Sequence, residues 1–385
     1  MGRKKVLVWE TLSTVSGGQK MTLMVMDMLS DQYDFCCLIP GEGMLAGELK
    51  NRGIPYVLMG DQTLPTGIKG KQVVFRYGWM SIRNVFKSLG IIFRYKPDIL
   101  YCPGPAALPW SAICGSLSHK PVIWHLHHIF LDGATKKLLN ICGKWNSVKK
   151  IIAVSQCVGD QIVNDKAHNK VEVLYNPVDV EKYANGNPDK IIAELESALD
   201  RIIIRGGVLI LTHIGAITKN KCQDMFVRTI HEIKKRGMDV IGLMIGDVVT
   251  DADRDYRQKI NAYIHANDLE KNIYAPGFRQ DIADILSATD CVIVPSHEGL
   301  GLVAMEAMSA RTRVVGMDQG GSKEVLTKAG CGELFPADGT EKDIADAVIR
   351  AMKQDDETIA KGYHFCQQQS TVNYSAEIYK VVSVE

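Results

Sequence analysis

The sequence predicts an α/β protein with two doubly wound parallel sheets. Short apolar runs alternate with helical segments at close spacing along the chain, a pattern typical of parallel sheets covered by helices on both faces. The alternation is interrupted once, at Asn176-Pro177-Val178-Asp179, and restarts after a charged helical stretch. A chain of 385 residues is also too long for one ordinary core. Together these observations predict two domains of the same class.

The first half contains seven predicted strands, each a short apolar run. They cover residues 4–9, 35–39, 56–58, 99–101, 122–125, 151–154 and 171–174. The predicted helices cover 19–29, a segment ending at 51, 81–94 and 135–145, and residues 60–70 are predicted to be a loop. The window 99–118 has no charged residue, but its prolines favour a strand, a turn and a small buried helix over a membrane span.

The second half repeats the alternation. Its predicted strands cover 208–212, 240–245, 273–275, 291–294, 314–315 and 333–335. Its predicted helices cover 188–200, 221–235, 252–266, 282–288, 302–310, 340–353, 357–369 and 372–382. We therefore expect an N-terminal domain of residues 1–177, a C-terminal domain of 178–368, and a final helix within 369–385 that packs back on the first domain. Ligands of such sheets bind outside the carboxyl ends of the strands, so the cleft between the domains is the expected site.

Composition limits the class of protein. A net charge of +1 and 46% hydrophobic residues are typical of a soluble protein. With so small a net charge, we expect no nucleic-acid partner. Residues 1–175 carry 21 Lys and Arg against 12 Asp and Glu, whereas the remainder carries 24 against 32. This asymmetry suggests that the first half faces an anionic partner, or it is ordinary variation between domains. The ten cysteines form no C-x-x-C pair, and the basic N-terminus lacks the apolar run of a signal peptide, so we expect a cytoplasmic location.

The most informative stretch is 290–326. A short strand ends at Pro295, a turn containing Glu298 and Gly301 follows, and a helix begins that contains Glu306. Amides at a helix N-terminus bind anions, and carboxylates on either side can accept hydrogen bonds from hydroxyls. A nucleotide sugar has this layout, with hexose hydroxyls, a diphosphate and ribose hydroxyls in order.

The stretch EGLGLVAMEAM followed by GGSKEVL resembles the donor-site motif of family 4 of the retaining nucleotide-sugar glycosyltransferases. The defining Glu-x7-Glu is matched by Glu298 and Glu306. Other motifs of the family are matched in order by the Gly17–Gly18 loop, AVS at 153–155, NPVD at 176–179, Gly215 with Lys221, and Pro276-Gly277-Phe278. The resemblance implies the GT-B fold, in which two doubly wound Rossmann-like domains face each other across a cleft.

The resemblance also implies roles for individual residues of the C-terminal half. Glu306 would bind the ribose hydroxyls, and Glu298 would bind the donor hexose near the reacting carbon. Lys221 would stabilise the leaving diphosphate in place of a metal, so no metal or other cofactor is expected. The diphosphate would lie at the helix N-terminus, in a loop made of Gly299, Leu300, Gly301, Leu302 and Val303.

Further roles fall elsewhere in the chain. Gly17 and Gly18 would let the backbone approach the donor phosphates, and Phe278 belongs to the turn beside the nucleobase. Three histidines, His125, His127 and His128, follow the strand at 122–124, and His125 is the best match to a catalytic histidine of the family. A purely structural histidine is an equal alternative.

The chain departs from the family pattern in three places, one of which is the loop PSHEG, a residue shorter than the common form before the first glutamate. Ala216 replaces the usual arginine, leaving Lys219 as the candidate substitute, and Leu300 stands where phenylalanine is frequent. The acids Asp251 and Asp253 have the spacing of a metal-binding D-x-D, but acids at a predicted helix start are explained by the helix dipole. Two alternatives remain: a nucleotide-sugar epimerase on a related fold, and a degenerate subunit that binds a nucleotide sugar without turnover.

The acceptor is expected to be a glycan or a lipid-linked molecule. Two basic amphipathic segments in the first half could place the protein peripherally on an anionic membrane, at its inner face. The same patterns fit helices that turn an apolar face to the core and a basic face to solvent. The basic residues are Arg76, Arg83, Lys87, Arg94 and Lys96 in one segment, and Lys136, Lys137, Lys144, Lys149 and Lys150 in the other.

Overall fold

The computed structural model describes residues 2–60 and 71–383. Its contacts divide the chain into two compact units, Met1–Asn176 with Val372–Glu385, and Pro177–Thr371. Each unit is built on one parallel sheet, which confirms the predicted fold class. The loop predicted at 60–70 lies, after its first residue, outside the described residues.

All thirteen described strands overlap predicted ones. In the first unit they are β1 Lys4–Trp9, β2 Tyr33–Ile39, β3 Tyr56–Leu58, β4 Ile99–Cys102, β5 Val122–Leu126, β6 Val148–Ala153 and β7 Val171–Val173. In the second unit they are β8 Leu209–Ile214, β9 Val240–Ile245, β10 Ile273–Gly277, β11 Cys291–Val294, β12 Arg313–Met317 and β13 Glu333–Phe335.

The helices of the first unit are α1 Gly17–Met28, α2 Met44–Asn51, α3 Lys71–Tyr95, α4 Leu108–Ser118, α5 Gly133–Gly143, α6 Gln156–Gly159 and α7 Asp165–His168. Those of the second unit are α8 Val180–Ala184, α9 Pro188–Leu199, α10 Gln223–Lys235, α11 Asp251–Ala266, α12 Ile282–Ala288, α13 Leu302–Ser309, α14 Gly320–Ala329, α15 Glu341–Ala351 and α16 Asp356–Gln368. The last helix is α17 Thr371–Val382. Sequence periodicity missed α6, α7 and α8, because four or five residues are too few to show a helical repeat.

Helix α3 begins ten residues earlier than predicted. Glycine and β-branched residues lower the helix propensity of 71–80. Packing outweighs this, because Met80 is buried and the Tyr77 hydroxyl donates a hydrogen bond of 2.9 Å to the carbonyl of Ala106. Tertiary contacts therefore set the start of this helix.

Both sheets reverse their strand order next to their first strand. The orders are β3-β2-β1-β4-β5-β6-β7 and β10-β9-β8-β11-β12-β13. The reversal lies between β1 and β4 in the first sheet and between β8 and β11 in the second. Loops that leave such neighbouring strands diverge and open a crevice at their carboxyl ends. In the second unit, Cys291 pairs with Leu211 and Val292 with Thr212, which brings the ends of β8 and β11 together.

Helix α17 belongs to the core of the first unit. Tyr374 and Ile378 are almost fully buried among residues of β1 and α1. The Tyr33 hydroxyl lies 3.1 Å from the Ser383 hydroxyl just beyond the helix. The chain therefore returns to its first unit after completing the second.

Candidate functional site

The loop between β11 and α13 is shaped by a glycine. β11 is buried over all four residues and ends at Pro295. Gly301 is the N-cap of α13 and has φ 86°, a left-handed conformation that favours glycine. A Cβ there would also lie 3.3 Å from the Ser322 hydroxyl. The first amides of α13, which follow this turn, have no partner within their own helix.

A second glycine turn, Gly320–Gly321, packs against this loop and is hydrogen-bonded to it. The Gly321 amide donates a hydrogen bond of 2.7 Å to the carbonyl of Glu298. A Cβ at Gly321 would lie 2.4 Å from Leu300, and one at Gly320 would lie 2.4 Å from the ring of His297. Only glycines let the start of α14 pack this closely. Leu300 is almost fully buried, and its backbone packs against Gly321.

Lys221 and Glu298 form an ion pair at the carboxyl ends of β8 and β11. The Lys221 ammonium lies 2.7 and 2.8 Å from the two carboxylate oxygens of Glu298. The Ser296 hydroxyl donates a further short hydrogen bond to the same carboxylate. The structure therefore joins two of the three predicted catalytic side chains.

The electrostatics of this pair keep Glu298 ionised. Burial acts to raise the pKa of Glu298, but the Lys221 charge and the hydrogen bonds from Lys221 and Ser296 lower it below its ordinary value. His213 lies behind the pair on β8, and burial together with the Lys221 charge lowers its pKa to about 4. The carboxylate is thus charged and its histidine neighbour neutral at pH 7.

Three glycines keep the carboxyl ends of three neighbouring strands, β8, β9 and β10, free of side chains. Gly215 follows β8, and a Cβ there would lie 3.6 Å from the Lys221 side chain. Gly246 follows β9 with φ 140°, and a Cβ there would lie 1.9 Å from the carbonyl oxygen of Gly215. Gly277 ends β10 with φ 91°. Sequence reasoning missed Gly246, although its place directly after an apolar strand was an available signal.

Two further predicted donor-binding residues, Phe278 and Lys219, lie near these strand ends in different surroundings. Phe278 follows Gly277 and its ring is 67% exposed, which leaves a face available for stacking. Lys219 begins a 3-10 turn, Lys219–Lys221. It lines a groove of about 540 Å³ between α10 and α11 that also contains Asp224 and Tyr256.

Glu306 is bound by a tyrosine that the sequence did not reveal. The Tyr183 hydroxyl of α8 donates a hydrogen bond of 2.7 Å to Glu306. Burial and the neighbouring Glu306 charge raise the pKa of Tyr183, so the hydroxyl keeps its proton. Tyr183 lies four residues after the NPVD motif, and nothing in that spacing predicts a hydrogen bond to a carboxylate.

In the first unit, the Gly17–Gly18 turn opens α1 after Ser16, its N-cap. Glu10 is buried at the end of β1 and accepts hydrogen bonds from Gln19 and Thr22 of this helix. Burial raises the pKa of Glu10, against those hydrogen bonds. Glu10 therefore ties the glycine turn to β1, a role that sequence reasoning also missed.

The three histidines in and just after β5 differ in surroundings. His125 is fully buried, with Nδ1 2.5 Å from the Tyr101 hydroxyl, and burial lowers its pKa to about 3. His127 faces Gly18: a Cβ on that glycine would lie 3.9 Å from the His127 ring. Both ring nitrogens of His127 are shielded from solvent and have no hydrogen-bond partner among the described residues. Burial and the adjacent histidines lower its pKa, so His127 is neutral.

Two family descriptions match the chain. Residues 209–354 match Glycosyl transferases group 1, and residues 19–182 match Glycosyltransferase Family 4. Together they span every described strand except β1, and the Glu298–Glu306 loop. The chain belongs to glycosyltransferase family 4. It is therefore a glycosyltransferase.

Curated relatives of this glycosyltransferase include two kinds of enzyme. It is 22% identical over 323 residues to the UDP-Gal:alpha-D-GlcNAc-diphosphoundecaprenol alpha-1,3-galactosyltransferase of Escherichia coli, covering 79% of this chain and 77% of that one. It is 28% identical over 187 residues to a D-inositol 3-phosphate glycosyltransferase of Kribbella flavida. The second match covers 46% of this chain and 42% of the relative, less than half of either.

Solved structures show the same fold. The Anabaena protein HepE in complex with UDP superposes with a TM-score of 0.79 at 19% identity, covering 99% of both chains. The glycosyltransferase WaaG, involved in lipopolysaccharide biosynthesis, gives a TM-score of 0.69 at 11% identity, covering 99% of this chain and all of that one. These neighbours establish that the glycosyltransferase has the GT-B fold.

Acidic and histidine side chains do not gather into a metal site in residues 2–60 and 71–383, where no group of three or more could hold an ion. Asp253, one of the acids with D-x-D spacing, is engaged with Thr250 in a capping box at the start of α11. In the same part of the chain, no helix combines the length and apolarity needed to cross a bilayer.

Proposed function

We propose that this glycosyltransferase moves a hexose-type sugar from a nucleoside-diphosphate sugar to a hydroxyl of a glycan or lipid-linked acceptor, with retention of configuration. The observation that carries the proposal is the Lys221–Glu298 pair, whose glutamate lies in the loop that leads into the N-terminus of α13, the helix that also bears Glu306. This arrangement offers an ammonium and backbone amides to an anion, and carboxylates to hydroxyls on either side of it.

In the proposed complex, Glu306 accepts hydrogen bonds from the ribose and Glu298 from the hexose. Phe278 stacks on the nucleobase, which its exposed ring supports. The amides of Gly301, Leu302 and Val303 hold the diphosphate. In the first unit, we assign the catalytic histidine role to His127 rather than His125, because neither ring nitrogen of His127 has a partner beside Gly18, whereas His125 has only Nε2 unpaired and its Nδ1 is bonded to Tyr101.

The proposed reaction is a front-side displacement. The bond between the anomeric carbon and the diphosphate oxygen breaks, and a bond from that carbon to the acceptor oxygen forms on the same face. The acceptor proton passes to the departing diphosphate. Lys221 and the helix amides stabilise the negative charge that develops there, so the reaction uses no metal cofactor and depends on electrostatics and positioning.

Relatives support the substrate classes. Galactosyl transfer from UDP-Gal to a diphosphoundecaprenol-linked sugar is named for the Escherichia coli relative, and HepE is described with UDP-glucose. We therefore propose a UDP-hexose donor and an acceptor used for cell-surface polysaccharide or glycoconjugate. We place the reaction in the cytoplasm, peripherally at the inner face of the membrane. All ten cysteines, each in the described part of the chain, are free thiols, as expected in a reducing compartment.

The test begins with a thermal-shift screen of nucleotide sugars, followed by calorimetric titration of the best binder. Glu306→Ala should weaken binding of that donor by at least about tenfold, the value of about one charged hydrogen bond. The matched control is Glu357→Ala, an exposed glutamate of α16. Unchanged binding by Glu306→Ala would refute the donor assignment. Incubation without acceptor then excludes or reveals an epimerase, and turnover with a lipid-linked sugar acceptor excludes a subunit that only binds.

A further inference from the structure

Helix α3 presents a stripe of large apolar side chains to solvent. Phe75, Trp79, Ile82, Phe86 and Phe93 are 81%, 70%, 53%, 73% and 65% exposed. Their spacing of three and four residues, with the half-buried Leu89 filling the one gap, places them in a single row along the helix. We name Phe75, Trp79, Ile82, Phe86 and Phe93 the aromatic stripe. Contiguous exposed apolar surface of this kind marks an interaction site.

The aromatic stripe is not the face by which α3 joins its own unit. At about 100° per residue, Phe75, Phe86 and Phe93 lie within about 20° of one another, and Asn84 and Ser88 lie about 140–180° away. Asn84 and Ser88 are fully buried, and Ser88 accepts a hydrogen bond of 3.2 Å from the indole of Trp9. The inner face of α3 is thus packed into its own unit, and the stripe points away from it.

A row of positive charge runs along one flank of the aromatic stripe. It consists of Arg76, Arg83, Lys87 and Arg94, all exposed, at about 80–120° from Phe75 around the helix axis. The 25 residues of α3 contain no aspartate or glutamate. The helix also belongs to the more basic half of the chain, residues 1–175, whose formal charge is +9. Hydrophobic contact and a positive field therefore act on the same surface.

We propose that the aromatic stripe docks on an anionic lipid surface, with the helix lying in the plane of the interface. Aromatic rings would enter the boundary between headgroups and acyl chains, and the basic row would meet the anionic headgroups. Charge complementarity decides against a second copy of the chain, because a self-complementary interface would bring two identical positive rows together. The inference deepens the proposed transfer to a lipid-linked acceptor and rests on it for its biological purpose.

Trp79 provides a direct reporter of this contact. Of the five tryptophans, all within the described residues, only Trp79 is classed as exposed. The full chain is mixed with vesicles of phosphatidylcholine containing about 30% phosphatidylglycerol, a fraction chosen to give a negative surface potential. Acyl chains brominated near the headgroup should quench Trp79, and Trp79→Phe should remove that quenching while vesicle binding, measured by flotation, persists.

Variants test whether the stripe carries the binding. The triple variant Phe75→Ser, Trp79→Ser and Phe86→Ser should lower the vesicle partition coefficient by at least about tenfold, because each ring contributes buried apolar area. The matched control is Ile202→Ser with Ile204→Ser, two residues of the second unit that are 81% and 70% exposed. That control should bind vesicles as the unaltered chain does.

Charge is tested separately. Arg76→Glu with Arg94→Glu should weaken binding to the anionic vesicles by at least about tenfold and make it less dependent on salt. The control variant Lys353→Glu, at an exposed lysine of the second unit, should not weaken binding to the anionic vesicles. Uncharged phosphatidylcholine vesicles should bind the unaltered chain at least about tenfold more weakly than the anionic ones.

Each contrary outcome overturns the inference. Absence of binding to anionic vesicles, binding without quenching of Trp79, or equal loss in the Ile202 and Ile204 control would each refute it. A dimer in sedimentation velocity that dissociates in the triple variant would assign the stripe to a second copy instead. These measurements need neither donor nor turnover, so their failure is distinct from failure of the proposed transferase reaction.

Discussion

Lys221 and Glu298 are 77 residues apart in the chain, yet the Lys221 ammonium lies 2.7 and 2.8 Å from the carboxylate oxygens of Glu298. The cause is the sheet order, since β8 and β11 are neighbours where the order reverses. The two side chains follow those strands at their carboxyl ends. Before any donor binds, each charge therefore already has its partner, which fixes the position of both side chains.

Removing the ammonium should impair turnover more than binding. We expect Lys221→Ala to reduce kcat about 100- to 1000-fold, because a preorganised charge on the leaving group is lost. The matched control is Lys219→Ala, since Lys219 lines the groove between α10 and α11. Steady-state kinetics with the donor found in the screen would measure both. An equal loss in the two variants would show that Lys219 carries the phosphate charge.

The Tyr183 hydroxyl should orient Glu306 for the ribose. A carboxylate has about four acceptor positions, so one bond from Tyr183 leaves room for two ribose hydroxyls. We expect Tyr183→Phe to raise the Kd for UDP about three- to tenfold, measured by titration calorimetry. The control Tyr274→Phe removes a similar bond to Glu194 and should leave the Kd unchanged. Tighter binding by Tyr183→Phe would instead mean that the tyrosine competes with the ribose.

The histidines should separate by experiment into one functional and one structural residue. His127→Ala should lower kcat at least about tenfold, the value of about one hydrogen bond, with little change in stability. His125→Ala should cost about 2–4 kcal/mol of unfolding free energy, because it leaves a cavity and an unpaired Tyr101 hydroxyl. Kinetics and urea unfolding of both variants give the answer. The reverse pattern would restore His125 as the catalytic residue.

Arg279 should make stability depend on pH in the acid range. Its hydrogen bonds lower the pKa of both Asp281 and Glu194. Because folding lowers these pKa values, the two carboxylates stabilise the folded state at every pH above their unfolded pKa of about 4. That stabilisation is lost as the pH falls through their pKa values in the folded state. Arg279→Gln should therefore cost about 2 kcal/mol at pH 7 and progressively less from about pH 5 downward.

Urea midpoints measured across that pH range would test this. The control Arg350→Gln breaks a more exposed ion pair with Glu333, so its effect at neutral pH should be smaller. A constant difference between Arg279→Gln and the unaltered chain at every pH would contradict the assignment of the pKa shifts to Arg279.

Strands and the Glu298–Glu306 loop could be predicted because their information is local. Apolar runs ending at Pro295 and glycines at Gly301 and Gly320 determine the backbone within a few residues. The start of α3 could not be predicted, since it depends on contacts of Tyr77 and Met80 with distant elements. The surroundings of His125 could not be predicted either, because its hydrogen-bond partner Tyr101 lies 24 residues earlier, on the neighbouring strand β4.

By itself, the sequence determined the fold class, the family and the loop that carries Glu298 and Glu306, because strand patterns, turns and motifs are short-range features. Tertiary structure alone decided which side chains meet. It joined Lys221 to Glu298 and Tyr183 to Glu306, it set His127 beside Gly18, and it turned the aromatic stripe of α3 outward. The physical reason is that strand order and helix packing arise from burial across the whole unit, which no local stretch of residues encodes.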